Sequence, residues 1–401
     1  MLRAHCAGHL DTMRAEGRYR DFAALEKLAD RFPAYRWHPG GGAPPREITV
    51  WSSNDYLGMG CDPAVRQAAA DAIAAHGAGA GGTRNISGTA PLHAGLEADL
   101  AAWHGKPAAL LFGSGYIANS AALSALLSAL PGTIVFSDAM NHASMIDGIR
   151  RGGSGKRIWR HNDLKHLEVL LREAPPEAPK LIALESVYSM DGDVAPLHAV
   201  CDLADRHGAM TYLDEVHAVG LYGATGAGIA ERDGATARID IIQGTLAKGV
   251  GVVGGYIAGD AALVDYVRST AGGLIFTTSM PPATAAAARA SIRRIRDNAG
   301  LRERLGERAA ALKAALDVAR LPRLPSESHI VPIPVPGAGH CRMVARRLLE
   351  EFSLYVTPIN YPTVPRGTER LRLCATPFHT DAMIAALIAA LCAVLPMVRE
   401  P

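Results

Sequence analysis

The chain has 401 residues, 49% hydrophobic and 20% charged, which excludes a disordered protein and is enough to bury a large core split over two domains. A formal net charge of +2 gives no electrostatic case for a nucleic-acid partner or a membrane surface. The six cysteines (6, 61, 201, 341, 374, 392) are scattered without a C-x-x-C pair, so neither a disulfide framework nor a zinc site is expected, and the thiols are those of a reduced, cytosolic protein.

Residues 1–20 carry acids and no apolar stretch, so no signal or transit peptide is expected. An amphipathic helical arm of roughly 35 residues comes first, within an N-terminal segment 1–49. PGGGAPP (39–45) is a turn, EITVW (47–51) a strand and SSNDYLGMG a loop. From there helices and strands alternate. Helices are predicted over 64–76, 91–104, 116–130, 142–151, 163–173 and 197–207. Strands are predicted over 108–112, 133–138, 156–161, 180–187, 210–216, 239–242 and 255–258. GAGAGGTRNISGT (77–89) is a Gly-rich loop. Strands separated by single helices imply an α/β domain with a mostly parallel sheet, over 50–290. Beyond it a charged helix, strands at 329–335, 354–359 and 370–375, a helix at 341–352 and a final helix form a smaller α+β domain, 291–401. The apolar run 382–398 places its larger residues at 384, 387, 388, 391 and 395, one face of a packed helix and not a membrane span.

In a parallel sheet, ligands bind beyond the carboxyl ends of the strands. Five such ends carry the unusual residues: Gly113–Tyr116; Ser137, Asp138, Asn141 and His142; Glu185, Ser186 and Ser189; Asp214, Glu215 and His217; Thr245 and Lys248. Lys248 is the single charge between Asp240 and Gly259, among Gly, Ala and Val. Desolvation there favours a neutral amine, which is what a Schiff-base lysine needs. FGSGY (112–116) leads into a helix start suited to phosphate, though it is neither a P-loop nor a dinucleotide fingerprint. Asp214 can keep a ring nitrogen protonated or cap a helix or turn, His217 can touch a phenolic oxygen or make a structural hydrogen bond, and His142 can stack on a pyridine or lie at a helix N-terminus on the surface.

The segments NDYLG (54–58), GTRNISGT (82–89), NHASMIDGIR (141–150), ESVYSMDGD (185–193), DEVHAVGLYG (214–223) and PTVPRGTERLR (362–372) resemble the α-oxoamine synthases, and the likeness runs from about Gly17 to about His379. These are pyridoxal-phosphate enzymes of the aspartate-aminotransferase fold that join an amino acid to an acyl-CoA. The resemblance implies glycine and succinyl-CoA as substrates, and a homodimer with shared active sites. It makes Lys248 the cofactor-bonding lysine, with Asp214 on the ring nitrogen, His142 stacked on the ring, and His217 and Ser189 at its phenolic oxygen. Gly115, Tyr116 and Thr245 hold the phosphate, with Thr277 reaching that of the neighbouring subunit. Arg372, near Asn54, takes the amino-acid carboxylate; Arg20, Thr83 and Asn85 take the succinyl carboxylate, and Ser137 lies on the substrate side. The sequence departs from the family pattern around the lysine, at Ala247, Gly249 and Val250, and after the arginine, where Cys374, Ala375, Thr376 and Pro377 replace T-P-x-P. Other readings of the same residues are an acyltransferase using acetyl-CoA or a longer acyl-CoA, an aminotransferase of this fold, and an inactive scaffold subunit.

Overall fold

The computed structural model describes residues 1–153 and 155–395. The chain divides into two compact units that interleave along the sequence. The larger comprises Met59–Tyr188 and Val194–Arg302; the smaller comprises Met1–Gly58, Ser189–Asp193 and the described residues from Glu303 onward. This grouping puts 1–58 with the C-terminal portion, and position 290 falls inside the helix Pro282–Asp297.

The larger unit is built on a seven-stranded sheet. Its order is Ala108–Phe112, Gly255–Gly259, Ile241–Thr245, Ala209–Asp214, Lys180–Glu185, Ile134–Asp138 and Gly155–Trp159. Gly255–Gly259 is antiparallel to both neighbours, and the remaining adjacent pairs are parallel. Two reversals cancel, so Ala108–Phe112 points the same way as the parallel block and six strands end on one edge. Strands buried on both faces read as continuous apolar runs, and every residue of Lys180–Glu185 is buried. The helix Gly115–Ala129 packs on this sheet with Leu123, Ala118 and Ala122 inside a core shared with Val135, Leu181 and Tyr212.

Each strand predicted for this unit is present, within three residues of its expected ends. Ala261–Thr270 and Pro282–Asp297 are helices that periodicity does not reveal. Half of the buried residues of the second are alanines, which mark its buried face less plainly than larger apolar residues would. Gly244 faces Tyr256 across the antiparallel pair, and a Cβ there would stand 2.3 Å from the tyrosine ring. Glycine thus leaves room for the ring, whose hydroxyl is hydrogen-bonded with His104 Nε2 at 2.7 Å.

The smaller unit contains a four-stranded sheet, Ala24–Lys27, Ala34–His38, Arg46–Val50 and Leu354–Tyr355, and a three-stranded one, Ile330–Pro334, Arg370–Cys374 and Pro358–Ile359. The expected helical arm is shorter than its sequence pattern. Leu2–Ala15 is helical; Gly17 then takes a left-handed φ of +68°, and residues 24–38 pair as strands around Pro33, which cannot continue a helix. The strand expected over 354–359 is two short pieces, one in each sheet. Asp381–Val394 buries Ile384, Leu387 and Leu391 against Trp51, Leu348 and Leu371, as its spacing predicts. The end of that apolar run, from Pro396, lies outside the described residues. Among the described residues no helix is long and apolar enough to cross a membrane.

The buried histidines make stability depend on pH. Burial pushes His104 down to about 3, with Lys106 adding to the effect, and burial pushes His379 of the smaller unit to about 3 as well. In the unfolded chain both titrate near 6.5. Each therefore adds stability that is complete above pH 6.5 and is lost as pH falls toward 3, by up to about 1.4 kcal/mol per pH unit. The urea midpoint is expected to fall between pH 7 and pH 5, and His104→Gln to flatten that slope. An unchanged slope in the variant contradicts the assignment.

Candidate active site

The polar residues of the larger unit collect where its six like-directed strands end. The strand Ile241–Thr245 runs into a tight loop closed by Thr245, whose Oγ1 donates to Gly254 O at 2.9 Å and accepts the Ala247 N–H at 3.2 Å. Lys248 sits in this loop, half-buried, with Nζ 3.0 Å from His217 Nε2. His217 lies three residues beyond Asp214, in the turn after the neighbouring strand. The structure also explains the unusual residue after the lysine. A Cβ at position 249 would stand 2.3 Å from Val219 O, so glycine lets this loop rest on the next turn's backbone. Val250 is fully buried beneath it.

Asp214 ends its strand at 4% exposure. Its Oδ1 accepts the Val216 N–H at 2.8 Å and its Oδ2 accepts Asn119 Nδ2 at 2.7 Å, so one oxygen caps a turn while the other meets a side chain. Burial raises its carboxyl, and these two donors oppose the rise. Strand register sets Glu185 beside Asp214 on one side and Gln243 on the other. Glu185 accepts the His142 backbone N–H, yet burial first and the Asp214 charge second push its carboxyl well above the usual range. Burial thus disfavours the charge on both neighbouring carboxyls, and for Glu185 the Asp214 charge adds to it. A cation beside Asp214 would lower that carboxyl further.

His142 caps the helix Ala143–Arg151 and lies edge-on to the Tyr116 ring, 6.3 Å between centroids. Its Nδ1 lies 2.7 Å from Ser144 Oγ and accepts the Ser144 backbone N–H at 3.2 Å, and burial lowers its pKa. Ser144 Oγ in turn accepts Asn119 Nδ2 at 3.0 Å. The sequence names Glu185 without a role and misses Asn119, Ser144 and Tyr212. The available signal was an asparagine inside the apolar helix that begins at FGSGY.

That helix, Gly115–Ala129, supplies the third component. Its first-turn N–H groups have no acceptor within the helix. A Cβ on Gly115 would stand 3.2 Å from Thr245 Oγ1, while one on Gly113 would meet nothing within 4 Å. The helix start and the Thr245 hydroxyl thus flank an open backbone cradle suited to phosphate. Amine, buried carboxylate and phosphate cradle fit the aldehyde, ring nitrogen and phosphate of pyridoxal phosphate. Among the described residues no group of His, Cys, Asp and Glu is arranged to hold a metal ion.

The Gly-rich loop is held at the same unit's surface. Arg84 forks onto Glu97 at 2.8 and 3.0 Å, Ser279 N donates to Gly82 O at 2.9 Å, and Thr83 pairs with Thr278. Thr83 Oγ1 donates to Asn85 Oδ1 at 2.7 Å, and Thr277 begins the segment that pairs with this loop. Ser137, buried, accepts Asn141 Nδ2 at 2.9 Å.

The remaining predicted residues belong to the smaller unit. Arg372 is buried; its Nε donates to Ser189 O at 2.7 Å, its Nη2 to Tyr56 OH at 2.7 Å and its Nη1 to Asn54 Oδ1 at 3.3 Å. Ser189 therefore meets the arginine through its carbonyl. Its neighbour Asp191 is paired with Arg370 at 2.6 Å. Arg20 is exposed and reaches Thr363 Oγ1 at 3.4 Å.

The family model for class I and II aminotransferases matches residues 46–391. The chain is 55% identical to the 5-aminolevulinate synthase of Rhizobium meliloti (strain 1021), over 95% of this chain and 94% of that protein. It is 54% identical to 5-aminolevulinate synthase 2 of Cereibacter sphaeroides, over 96% and 94%. A serine palmitoyltransferase from S. paucimobilis, solved with a pyridoxal-phosphate–myriocin adduct, superposes with a TM-score of 0.89 at 32% identity, covering 97% of both chains. The strand-end lysine, the buried aspartate and these full-length similarities agree: the chain belongs to the class I and II aminotransferase family and, within it, to the 5-aminolevulinate synthases.

Proposed function

We propose that this protein condenses glycine with succinyl-CoA to give 5-aminolevulinate, CoA and carbon dioxide, with pyridoxal phosphate bonded to Lys248. The observation that carries the reading is the Lys248 amine held 3.0 Å from His217 at the strand edge that also bears Asp214. When bound, pyridoxal phosphate takes up the electron pair left as glycine loses its α-proton.

The chain's own residues do the rest. Gly115, Tyr116 and Thr245 bind the phosphate through backbone N–H groups and a hydroxyl. Asp214 holds the proton on the ring nitrogen, and His142 covers the ring face. His217 and Ser189 serve the phenolic oxygen. Arg372 binds the glycine carboxylate and sets which Cα–H faces Lys248, as a fork of charged donors can. Once the glycine amine has taken its place on the cofactor, the freed Lys248 amine would accept that proton at Nζ. Glycine Cα bonds to the succinyl carbonyl carbon, the C–S bond breaks and CoA leaves. The original glycine carboxyl leaves as carbon dioxide, and Lys248 returns a proton to the same carbon. Arg20, Thr83 and Asn85 receive the succinyl carboxylate, with Ser137 on the substrate side.

The working form is a homodimer in the cytosol. Exposed Phe276, Ile86 and Tyr116 lie beside Thr277, Asn85 and Gly115 in sequence, an apolar rim that a second copy would cover. All six cysteines are free, in keeping with a reducing compartment.

Three outcomes follow. Borohydride treatment of the cofactor-loaded enzyme, followed by peptide mapping, is expected to fix the label on Lys248, and Lys248→Ala to abolish turnover while keeping the fold; label on another lysine refutes the assignment. Mixed chains carrying Lys248→Ala and Thr277→Val are expected to recover about a quarter of wild-type activity on random exchange, since half the dimers then own one intact site. Isolation of an active monomer contradicts the shared site. The deciding measurement is CoA release from succinyl-, acetyl- and butyryl-CoA at saturating glycine. Loss of the carboxylate contact is expected to disfavour the neutral thioesters by roughly 1.5–3 kcal/mol, about 10- to 150-fold in kcat/KM. Arg20→Leu is expected to narrow that gap. Acetyl-CoA matching succinyl-CoA in the wild type overturns the reading.

A further inference from the structure

Asp214 and His142 lie on different elements, and one buried side chain connects them. Asn119, on the helix Gly115–Ala129, is 1% exposed. Its Nδ2 donates to Asp214 Oδ2 at 2.7 Å and to Ser144 Oγ at 3.0 Å, and its Oδ1 accepts the Tyr212 hydroxyl at 2.9 Å. The orientation of the amide follows from chemistry. An ionised carboxylate only accepts, so the nitrogen end must face Asp214. Tyr212 keeps its proton because burial opposes its ionisation, and it donates to the oxygen end.

The same logic continues along the chain of hydrogen bonds. Ser144 Oγ accepts from Asn119, so its own hydrogen is available to the next acceptor, His142 Nδ1 at 2.7 Å. The Ser144 backbone N–H points at the same nitrogen, at 3.2 Å. Two donors aimed at one ring nitrogen leave no place for a proton on it. The histidine must then be neutral and carry its hydrogen on Nε2. Close approach of the two helices makes the relay possible. A Cβ on Gly148 would stand 2.9 Å from Asn119 O, so only glycine lets Ala143–Arg151 bring Ser144 this near.

We propose that Asn119 is a positioning residue that fixes the Asp214 carboxylate for a cationic ring nitrogen and, through Ser144, locks His142 as the neutral Nε2–H tautomer. A neutral ring can lie against a cationic one; a second cation in a dry site would be repelled. Lys248, Glu185 and Glu215 also act on this group of residues through space. The relay differs in acting through donors and acceptors of fixed direction. The role of the relay rests on the cofactor reading above, whereas the tautomer is a property of the chain itself.

The test is nitrogen NMR on the 15N-histidine-labelled holoenzyme, with the His142 signals assigned by their loss in His142→Asn. The wild type is expected to show a protonated Nε2 and a bare Nδ1 at neutral pH. Asn119→Ala and Ser144→Ala are each expected to shift both nitrogens toward a mixture of tautomers. Asn119→Ala is also expected to weaken pyridoxal phosphate binding to the apoenzyme about tenfold, the loss of one charge-assisted hydrogen bond. A proton on Nδ1 in the wild type overturns the proposal whether or not the variants fold. Weaker cofactor binding with unmoved His142 signals in both variants also overturns it. If the tautomer and its shifts are found but borohydride label falls on another lysine, the cofactor reading has failed and the relay has not.

Discussion

A carboxylate taken out of water must meet donors or a cation, or else give up its charge. Asp214 is placed under that constraint by the fold, at the buried end of a central strand. Val216 N–H and Asn119 satisfy part of the demand. The rest suits a positive group, the place proposed above for a protonated ring nitrogen. Glu185, in register beside it, meets the same burial with its charge further opposed by Asp214, which pushes its carboxyl well above the usual range.

Close backbone approach is the second requirement, and glycines provide it at particular places. Gly249 lets the lysine loop rest on Val219 O, Gly244 makes room for Tyr256, and Gly148 admits the helix that carries Ser144. These contacts explain why the residue following Lys248 is tolerated despite differing from the family pattern. At this position a side chain would collide with neighbouring backbone, and the loop geometry that holds Nζ near His217 depends on its absence. Cys374 and Ala375, the departures after Arg372, are fully buried in the smaller unit, where Arg372 keeps its hydrogen bonds to Ser189, Tyr56 and Asn54. Those bonds use the arginine's own donors and the carbonyl or hydroxyl groups facing it. They do not require the T-P-x-P pattern.

Much of this protein was legible in the order of its residues. Alternating apolar runs and helical periods determined the parallel sheet, and its strand ends located Lys248, Asp214, His142 and the FGSGY helix start. A lone lysine among glycines is visible in one dimension because its oddity is local. The N-terminal strands and the Pro282–Asp297 helix were hidden for a local reason too: mixed polarity in one and an alanine face in the other leave little periodic contrast. What only the tertiary structure decided is which distant polar atoms meet. Asn119, Ser144 and Tyr212 are unremarkable letters in separate segments, and they become a relay because two helices and a strand pack without a gap. Hydrogen bonds are directional and short-ranged, so their partners depend on packing in three dimensions, while hydrophobic patterning needs only spacing along the chain.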